Sequence, residues 1–308
     1  MGATPSQHIH RRAATSCRYR PPRDFGSDRG GGCLALTLRL GTKHGTAPDR
    51  ALGPVELRRL DWDTNFFGRK MGVLELLEPE ISSRAVERVA RDLRLGLREA
   101  AADGYAHLIL RLPAKDTNAI RAAEQAGMRV VDISVDLVVR LPGPRGASLV
   151  GPIVRPASQQ DLVALQDIAG DAFELSRFAA DPFFSGEEVA AFYRRWISNL
   201  CDGLAAEVLV AHANDEIAGF VSCSLQSKAS GRIPLIATSD AHRRQGVGRA
   251  LVDASLRWFA AAGLREVFVK TQVANYSALA LYQSCGFRVA LAEVVLSACL
   301  TGAEDLPR

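Results

Sequence analysis

The chain has 308 residues, 47% of them hydrophobic and 23% charged, with a formal net charge of +4. Residues 1–50 hold nine Lys/Arg against three Asp/Glu, so the rest is close to neutral and offers no broad cationic surface for nucleic acid. No apolar run approaches the ~20 residues that cross a bilayer, and six cysteines (Cys17, Cys33, Cys201, Cys223, Cys285, Cys299) lack C-x-x-C or His-partner spacing, which argues against a metal site and for a reducing, cytoplasmic setting.

The N-terminal stretch through "SCRYRPPRDFGSDRGGGC" is rich in Arg, Gly, Pro and Ser and shows little apolar periodicity. Such composition cannot offset its own ordering entropy, so residues 1–54 are expected to form a disordered basic extension. Organised sequence begins near Val55. "LDWDTNFFG" carries Trp62, Phe66 and Phe67, and strand-like "GVLEL" follows. Apolar spacings of 3 and 4 at Val86, Val89, Leu93 and Leu97 predict a long helix that ends at Gly104. "YAHLILRL", "NAIRAAEQAG" and "MRVVDISVDLVVRL" then read as strand, helix and strand. Pro- and Gly-rich "PGPRGASLVGP" is a linker. These limits give an N-terminal α/β domain over 55–145 and a second domain over 153–303.

The second half reads β-α-α-β-β-β-α-β-α-β. Ser185 and Glu188 stand at capping-box spacing, and "NDE" between "AAEVLVAHA" and "EIAGFVSCSL" signals a hairpin. "AADGYAHLILRLPAKDTNAIRAAEQAGMRVVDISVDLVV" parallels "AAAGLREVFVKTQVANYSALALYQSCGFRVALAEVVLSA", with 23 positions from Gly104 to Gly127 and from Gly263 to Gly286. The parallel suggests a partial duplication in which the first copy lacks a glycine turn.

That turn, "HRRQGVGRAL" (242–251), follows strand-like "LIAT" and opens a helix. A dinucleotide fingerprint is excluded by Leu251 at the third glycine position, and a P-loop by the missing G-K-[ST]. What remains is Arg243-x-x-Gly246-x-Gly248. Its glycines permit close backbone approach, its first-turn N–H groups can face an anion, and Arg243 and Arg244 can pair with phosphate. A plain glycine-containing helix start is the alternative on the residues alone. By the same reading Asn275 is a helix N-cap and Tyr282 a core residue.

Residues 153–300 resemble the GNAT family of acetyl-coenzyme A-dependent N-acetyltransferases, whose pyrophosphate loop reads [RQ]-x-x-G-x-[GA] after a central strand. The resemblance implies an α/β (α+β) GNAT fold, a mixed central sheet flanked by helices, with a smaller half-GNAT-like domain before it. It implies acetyl-CoA as cosubstrate, with the pyrophosphate on N–H groups of Gln245, Gly246, Val247, Gly248 and Arg249, near Arg243 and Arg244. Backbone groups of Ile236 and Thr238 would hold the pantetheine arm, with Asn275 as a further polar contact. Tyr282 would be the acid that protonates the departing sulfur.

A narrower resemblance spans about 57–300. "LDWDTNFFG", "QAGMRVVDISVDLVVRLP", "DAFELSRF", "FYRRWISN" and "VKTQVANYSALALYQSCGF" together look like the TDP-fucosamine acetyltransferase group, two-domain enzymes that acetylate the amine of a nucleotide-linked deoxyamino sugar. It implies a small-molecule amine partner, with no nucleic acid, membrane or metal, and allows a homodimer. Glu174, Arg177 and Phe178 are candidates for the acceptor side, and Glu207 is a further carboxylate there. An amine beside oxygen-bearing carbons titrates below lysine's ~10.4, which leaves some free amine at neutral pH even without a general base; no residue stands out as one. Another amine acceptor, or a non-catalytic coenzyme A-binding scaffold, remains open on sequence.

Overall fold

The computed structural model describes residues 50–52, 55–77, 80–141 and 152–301. Of the extension expected over 1–54, only Arg50–Leu52 lies within them, paired as strand β1 with β2 (Val55–Arg59); the rest of it, and most of the linker, lie outside the described residues.

In the first half α1 (Asp61–Phe67) and β3 (Met71–Leu76) precede α2 (Val86–Ala102), β4 (His107–Pro113), α3 (Thr117–Gln125) and β5 (Arg129–Arg140). The second half runs β6 (Ile153–Pro156), α4 (Leu162–Ala172), α5 (Arg177–Ala180), α6 (Gly186–Asn199), β7 (Glu207–Ala213), β8 (Glu216–Leu225), β9 (Ser230–Ile233), β10 (Ile236–Thr238), α7 (Val247–Ala261), β11 (Glu266–Gln272), α8 (Tyr276–Ser284) and β12 (Arg288–Cys299). The strand expected as "GRIPLIAT" is therefore two. Ser185 and Glu188 form the expected capping box at the start of α6. Asn214 and Asp215, both at positive φ, turn the expected hairpin between β7 and β8, the backbone that a two-residue turn demands.

One mixed sheet carries both halves, in the order β1-β2-β3-β4-β12-β5-β11-β9-β8-β7-β6, with β10 attached to β8. The internal parallel is visible element by element. β4, α3 and β5 are 7, 9 and 12 residues long, as are β11, α8 and β12. Their starts (107 and 266, 117 and 276, 129 and 288) all differ by 159. The parallel pairing repeats too: Met71↔His107 in the first half is Ser230↔Glu266 in the second. A Cβ on Gly72 would meet Tyr105 and Leu108 at 2.9 Å, and one on Gly231, its counterpart, would meet Phe259 at 2.5 Å and Leu264, the counterpart of Tyr105, at 2.9 Å. A residue just past the helix covers the strand so closely that only glycine fits beneath it in either copy.

The two long strands are exchanged. β12 lies between β4 and β5, while β5 lies between β12 and β11. Each half thus completes its ladder with a strand from the other, with two irregularities in the β12–β5 register, at Val289/Leu291 and Val295/Leu296.

On one face of the sheet, α2 and α3 cover Leu108, Leu110, Leu112, Leu296 and Ala298, and α7 and α8 cover Val135, Leu137, Val221, Val267 and Val269. On the other face, α4 and α6 enclose Val208, Val210, Phe220 and Leu235. Helix α1 of the first half joins this second layer. Trp62 meets Phe192 edge-on at 4.4 Å and Phe67 stacks on it at 5.4 Å. Trp62, Phe66 and Phe67 are therefore packing residues.

Candidate active site

The second half contains a wedge in its sheet. β9 pairs in parallel with Glu266–Val269 of β11 and stops at Ile233, and β10 pairs only with β8. A β-bulge causes the divergence. Arg232 opposes Ser224, but Ile236 opposes Val221, so one side has an extra residue, and Pro234 within it has no N–H to give. The buried Ser222 hydroxyl repairs the break, accepting from Leu235 N–H at 2.9 Å and donating to Leu235 C=O at 3.1 Å. Ser222 N–H reaches Leu235 C=O and Ser239 N–H reaches Ala218 C=O, both at 2.9 Å. Antiparallel alternation then turns the N–H and C=O groups of Ile236 and Thr238 away from β8, into the wedge facing Lys270–Gln272.

The chain leaves β10 through a 3-10 turn (Asp240–His242) into the glycine turn. Arg244 and Gly246 are left-handed, at φ +64° and +81°. Among the described residues the backbone N–H groups of Arg244, Gln245, Gly246, Val247, Gly248 and Arg249 donate no hydrogen bond. Six unsatisfied donors at the start of a 15-residue helix make an anion cradle. The side chains are arranged separately. Arg243 pairs with Asp240 at 2.6 Å, Gln245 donates to Ala241 C=O at 3.1 Å, and Arg249 donates to Ser284 Oγ at 3.0 Å. Gly248 has a packing reason of its own: a Cβ there would stand 3.1 Å from Leu281 Cδ2 and 3.8 Å from Thr238 Oγ1.

Asn275 caps α8, its Oδ1 accepting from Ala278 N–H at 3.1 Å and Ser277 Oγ at 3.0 Å. Two turns on, Tyr282 is 3% exposed, 5.6 Å from the Phe287 ring. Its hydroxyl has no partner among the described residues, yet it is not one of the sealed polar atoms, so its tip is open. Burial, with the Cys285 thiol adding, pushes the phenol well above its ordinary range. Tyr282 is a donor at every working pH.

Across the sheet from α7 and α8 lies a charged row that sequence reading missed. Directly opposed residues share a face, so Arg111, Val295 and Asp132 form one line across β4, β12 and β5, with Glu293, Ser134, Gln272, Asp136 and Lys270 beside it. Lys270 Nζ sits 2.7 Å from Asp136 Oδ2 and 2.5 Å from Glu293 Oε2, while Arg232 reaches Asp136 at 3.3 Å. Burial raises Asp132 above the usual carboxylate range, against the hydrogen bonds from Gln272 and the Ile133 N–H that favour its charge. Arg111 is pushed down to about 10 by burial and by Arg177. It stays cationic at neutral pH.

The other candidates take definite places. Arg177 pairs with Asp63 at 3.3 Å and lies 3.7 Å over the Phe178 ring. Phe178 is 3% exposed, packed on Phe67, Phe184 and Phe192, so it supports Arg177 and offers no face to a ligand. Glu174 is exposed. Glu207 faces the α7 layer, where Trp258 bonds it and burial raises its pKa; it is on the wrong side of the sheet for the charged row. Among the described residues no group of three or more His, Cys, Asp or Glu could hold a metal, and no helix is long and apolar enough to cross a membrane.

Residues 170–287, which span α5–α8, match the model of the Acetyltransferase (GNAT) family. Around them, 80% of the chain superposes on 77% of a GCN5-related N-acetyltransferase from Sphaerobacter thermophilus, with TM-score 0.57 and 17% identity. The fold is the GNAT fold. Among curated proteins, N-acetyltransferase family 8 member 3 of Rattus norvegicus is 49% identical over 15% of this chain and 21% of its own length. Spore coat polysaccharide biosynthesis protein SpsD of Bacillus subtilis (strain 168) is 26% identical over 43% of this chain and 45% of its own. The chain thus spans less than half the length of these curated relatives. The family match falls wholly in the second half, and the GNAT turn has no glycines in the first: the counterparts of Gly246 and Gly248 are Glu87 and Val89, and that of Tyr282 is Ala123.

Proposed function

We propose that the second half transfers the acetyl group of acetyl-CoA to a primary amine, and that the amine belongs to a nucleotide-linked deoxyamino sugar. The observation that carries the transfer reading is two groups of unsatisfied backbone donors in sequence, those of Ile236 and Thr238 in the wedge and the six N–H groups at 244–249 in the turn after it. Together they fit an extended thiol-bearing arm ending in a pyrophosphate: wedge for the arm, cradle for the phosphates. Thr238 Oγ1 lies between the two, beside Gly248.

The thioester supplies an activated acyl carbon. Ile236 N–H, facing into the wedge, is placed to donate to its carbonyl oxygen as negative charge develops there. Tyr282 donates a hydrogen bond to the sulfur as it leaves. Its raised pKa makes complete proton transfer to a thiolate uphill, so its contribution is the bond that strengthens as charge builds on sulfur. The likeness to SpsD, whose name places it in polysaccharide biosynthesis, supports a sugar acceptor. The first half, without the turn glycines or the tyrosine, is read as a structural partner with no second acetyl site.

The test is thiol release from acetyl-CoA with a panel of TDP- and UDP-linked amino sugars, set against polyamines, aminoglycosides and peptide N-termini. Turnover on sugar nucleotides at least tenfold above the other amines is expected. Turnover confined to another class would replace the acceptor, and absence of turnover with intact coenzyme A binding would leave a binding protein.

A further inference from the structure

The charged row contains one cation and one carboxylate that the protein itself does not pair. Asp63 is engaged by Arg177, Asp136 by Arg232 and Lys270, and Glu293 by Lys270. Arg111 has no ion pair or hydrogen bond among the described residues. Its Nε is sealed without a partner, and its terminal nitrogens are unpartnered but open. Asp132 has hydrogen-bonding neighbours and no cation in bonding distance. A guanidinium with no direct partner in a largely covered place is unfavourable to the fold, and Glu293, Asp63 and Asp136 act on it only from beyond bonding distance.

Both residues are in register with Val295, on either side of it. Two strand spacings put their Cα atoms about 10 Å apart. Asp132 is the nearer to the wedge, next to Gln272 on β11, and Arg111 is the farther, on β4 of the first half.

We infer that Arg111 and Asp132 form the acceptor site, Arg111 binding a phosphate carried by the acceptor and Asp132 binding the ammonium group that is acetylated. The inference rests on the acetyl-transfer reading for its chemistry, but not for its binding test. Asp132 takes one proton from the ammonium. The freed nitrogen lone pair then bonds to the acyl carbon and the carbon–sulfur bond breaks. The second proton lost by nitrogen passes to the thiolate sulfur, and Asp132 later releases its own to water. The separation of the two groups suits an amine set apart from its phosphate by a sugar ring and excludes one in which they are adjacent. The strand exchange gives the first half a part in the site, since Arg111 and Asp132 both belong to it.

The test is calorimetric titration of the full chain with three probes: a TDP-linked 4-amino-4,6-dideoxyhexose, its neutral methyl glycoside, and an amino uronic acid, each without acetyl-CoA. The sugar nucleotide should bind at least 10²-fold tighter than the glycoside. Arg111→Gln should erase that preference, and Arg111→Lys, which keeps the charge without the fork, should restore part of it. Asp132→Asn should weaken all amine probes and, in turnover, lower kcat with a shifted acid limb in the pH profile. Equal affinity for nucleotide and glycoside, or an undiminished preference in either Arg111 variant, overturns the inference, as does tighter binding of the uronic acid than of the nucleotide. Binding that behaves as expected without turnover would sink the transfer reading alone.

Discussion

Gly248 and Leu281 meet closely where α7 starts against α8: a Cβ on Gly248 would stand 3.1 Å from Leu281 Cδ2, so the leucine tip would have to give by a few tenths of an ångström. Gly246, two residues earlier, has nothing within 4 Å of such a Cβ but sits at φ +81°. The two glycines therefore answer to different physics. Gly246→Val should abolish coenzyme A binding by forcing the turn out of the left-handed region, at about 1–2 kcal/mol of strain or more for a branched residue. Gly248→Ala should weaken binding about tenfold through helix displacement, and Leu281→Ala in the same chain should recover most of it. Isothermal titration with coenzyme A decides; no recovery in the double variant would mean that Gly248 serves the phosphate directly.

Tyr282→Phe tests the open hydroxyl. No protein group bonds it, so its removal should shift the melting temperature by no more than a degree or so, whereas a bonded hydroxyl would cost about 1 kcal/mol. Turnover should fall by about 10²-fold or more with little change in KM, the mark of an interaction made in the transition state. Steady-state kinetics with wild-type kcat would remove Tyr282 from the chemistry.

Much of this was legible in the sequence, and the unread part has a clear cause. Periodicity placed the helices and strands, and the glycine spacing placed the turn. Composition gave no hint that "DISVDLVV" and "LAEVVLSA" would trade places, because strand pairing across 150 residues leaves no local mark. The charged row was missed for a related reason. Asp132 and Asp136, Lys270 and Glu293 each interrupt an apolar strand, which reads as ordinary in–out alternation with a solvated face. Only the covering by α1, α5 and α6 makes that face an interior. The signal available was the rarity of isolated charges inside β-branched runs.

Lys270→Met tests how firmly that interior is tied. It leaves Asp136, 1% exposed, with Arg232 alone and Glu293 with no cation in direct contact, only Arg111 farther off. Removing one partner of a buried network costs about 3–5 kcal/mol, while replacing all partners by apolar groups is often near neutral. Denaturant unfolding should show the large loss in Lys270→Met and substantial recovery when Asp136→Leu and Glu293→Leu are added. Equal stability of the single variant and the parent would mean that the face is wetter than its packing suggests.

Asp161 offers the clearest acid dependence. Its carboxylate takes both ends of the Arg155 guanidinium at 2.8 Å and the Ser158 N–H at 2.6 Å. Arg155 above all, with Ser158, holds its pKa well below the ordinary range against the opposing effect of burial. A depressed carboxylate stabilises the fold above its unfolded pKa of ~3.9, and that stability is lost as pH falls through the folded value. Asp161→Asn should lose about 2 kcal/mol at pH 7, and the gap between the two proteins should shrink steadily as the pH falls below ~3.9, closing only as it passes through the depressed folded value. Parallel melting curves for both proteins across that range would refute the assignment.

The exchange of β5 and β12 binds the fates of the two copies. The first half has neither the turn glycines nor the tyrosine of the second, yet the sheet depends on it. Residues 134–140 of the first half pair with all of 266–272 in the second, whose other edge meets β9 only as far as Val269, and β12 in turn pairs with β4 of the first half. A frameshift or excision in either copy strips an edge from the other. Each half is held by its neighbour's hydrogen bonds, and neither can be removed without leaving a bare strand edge on the other.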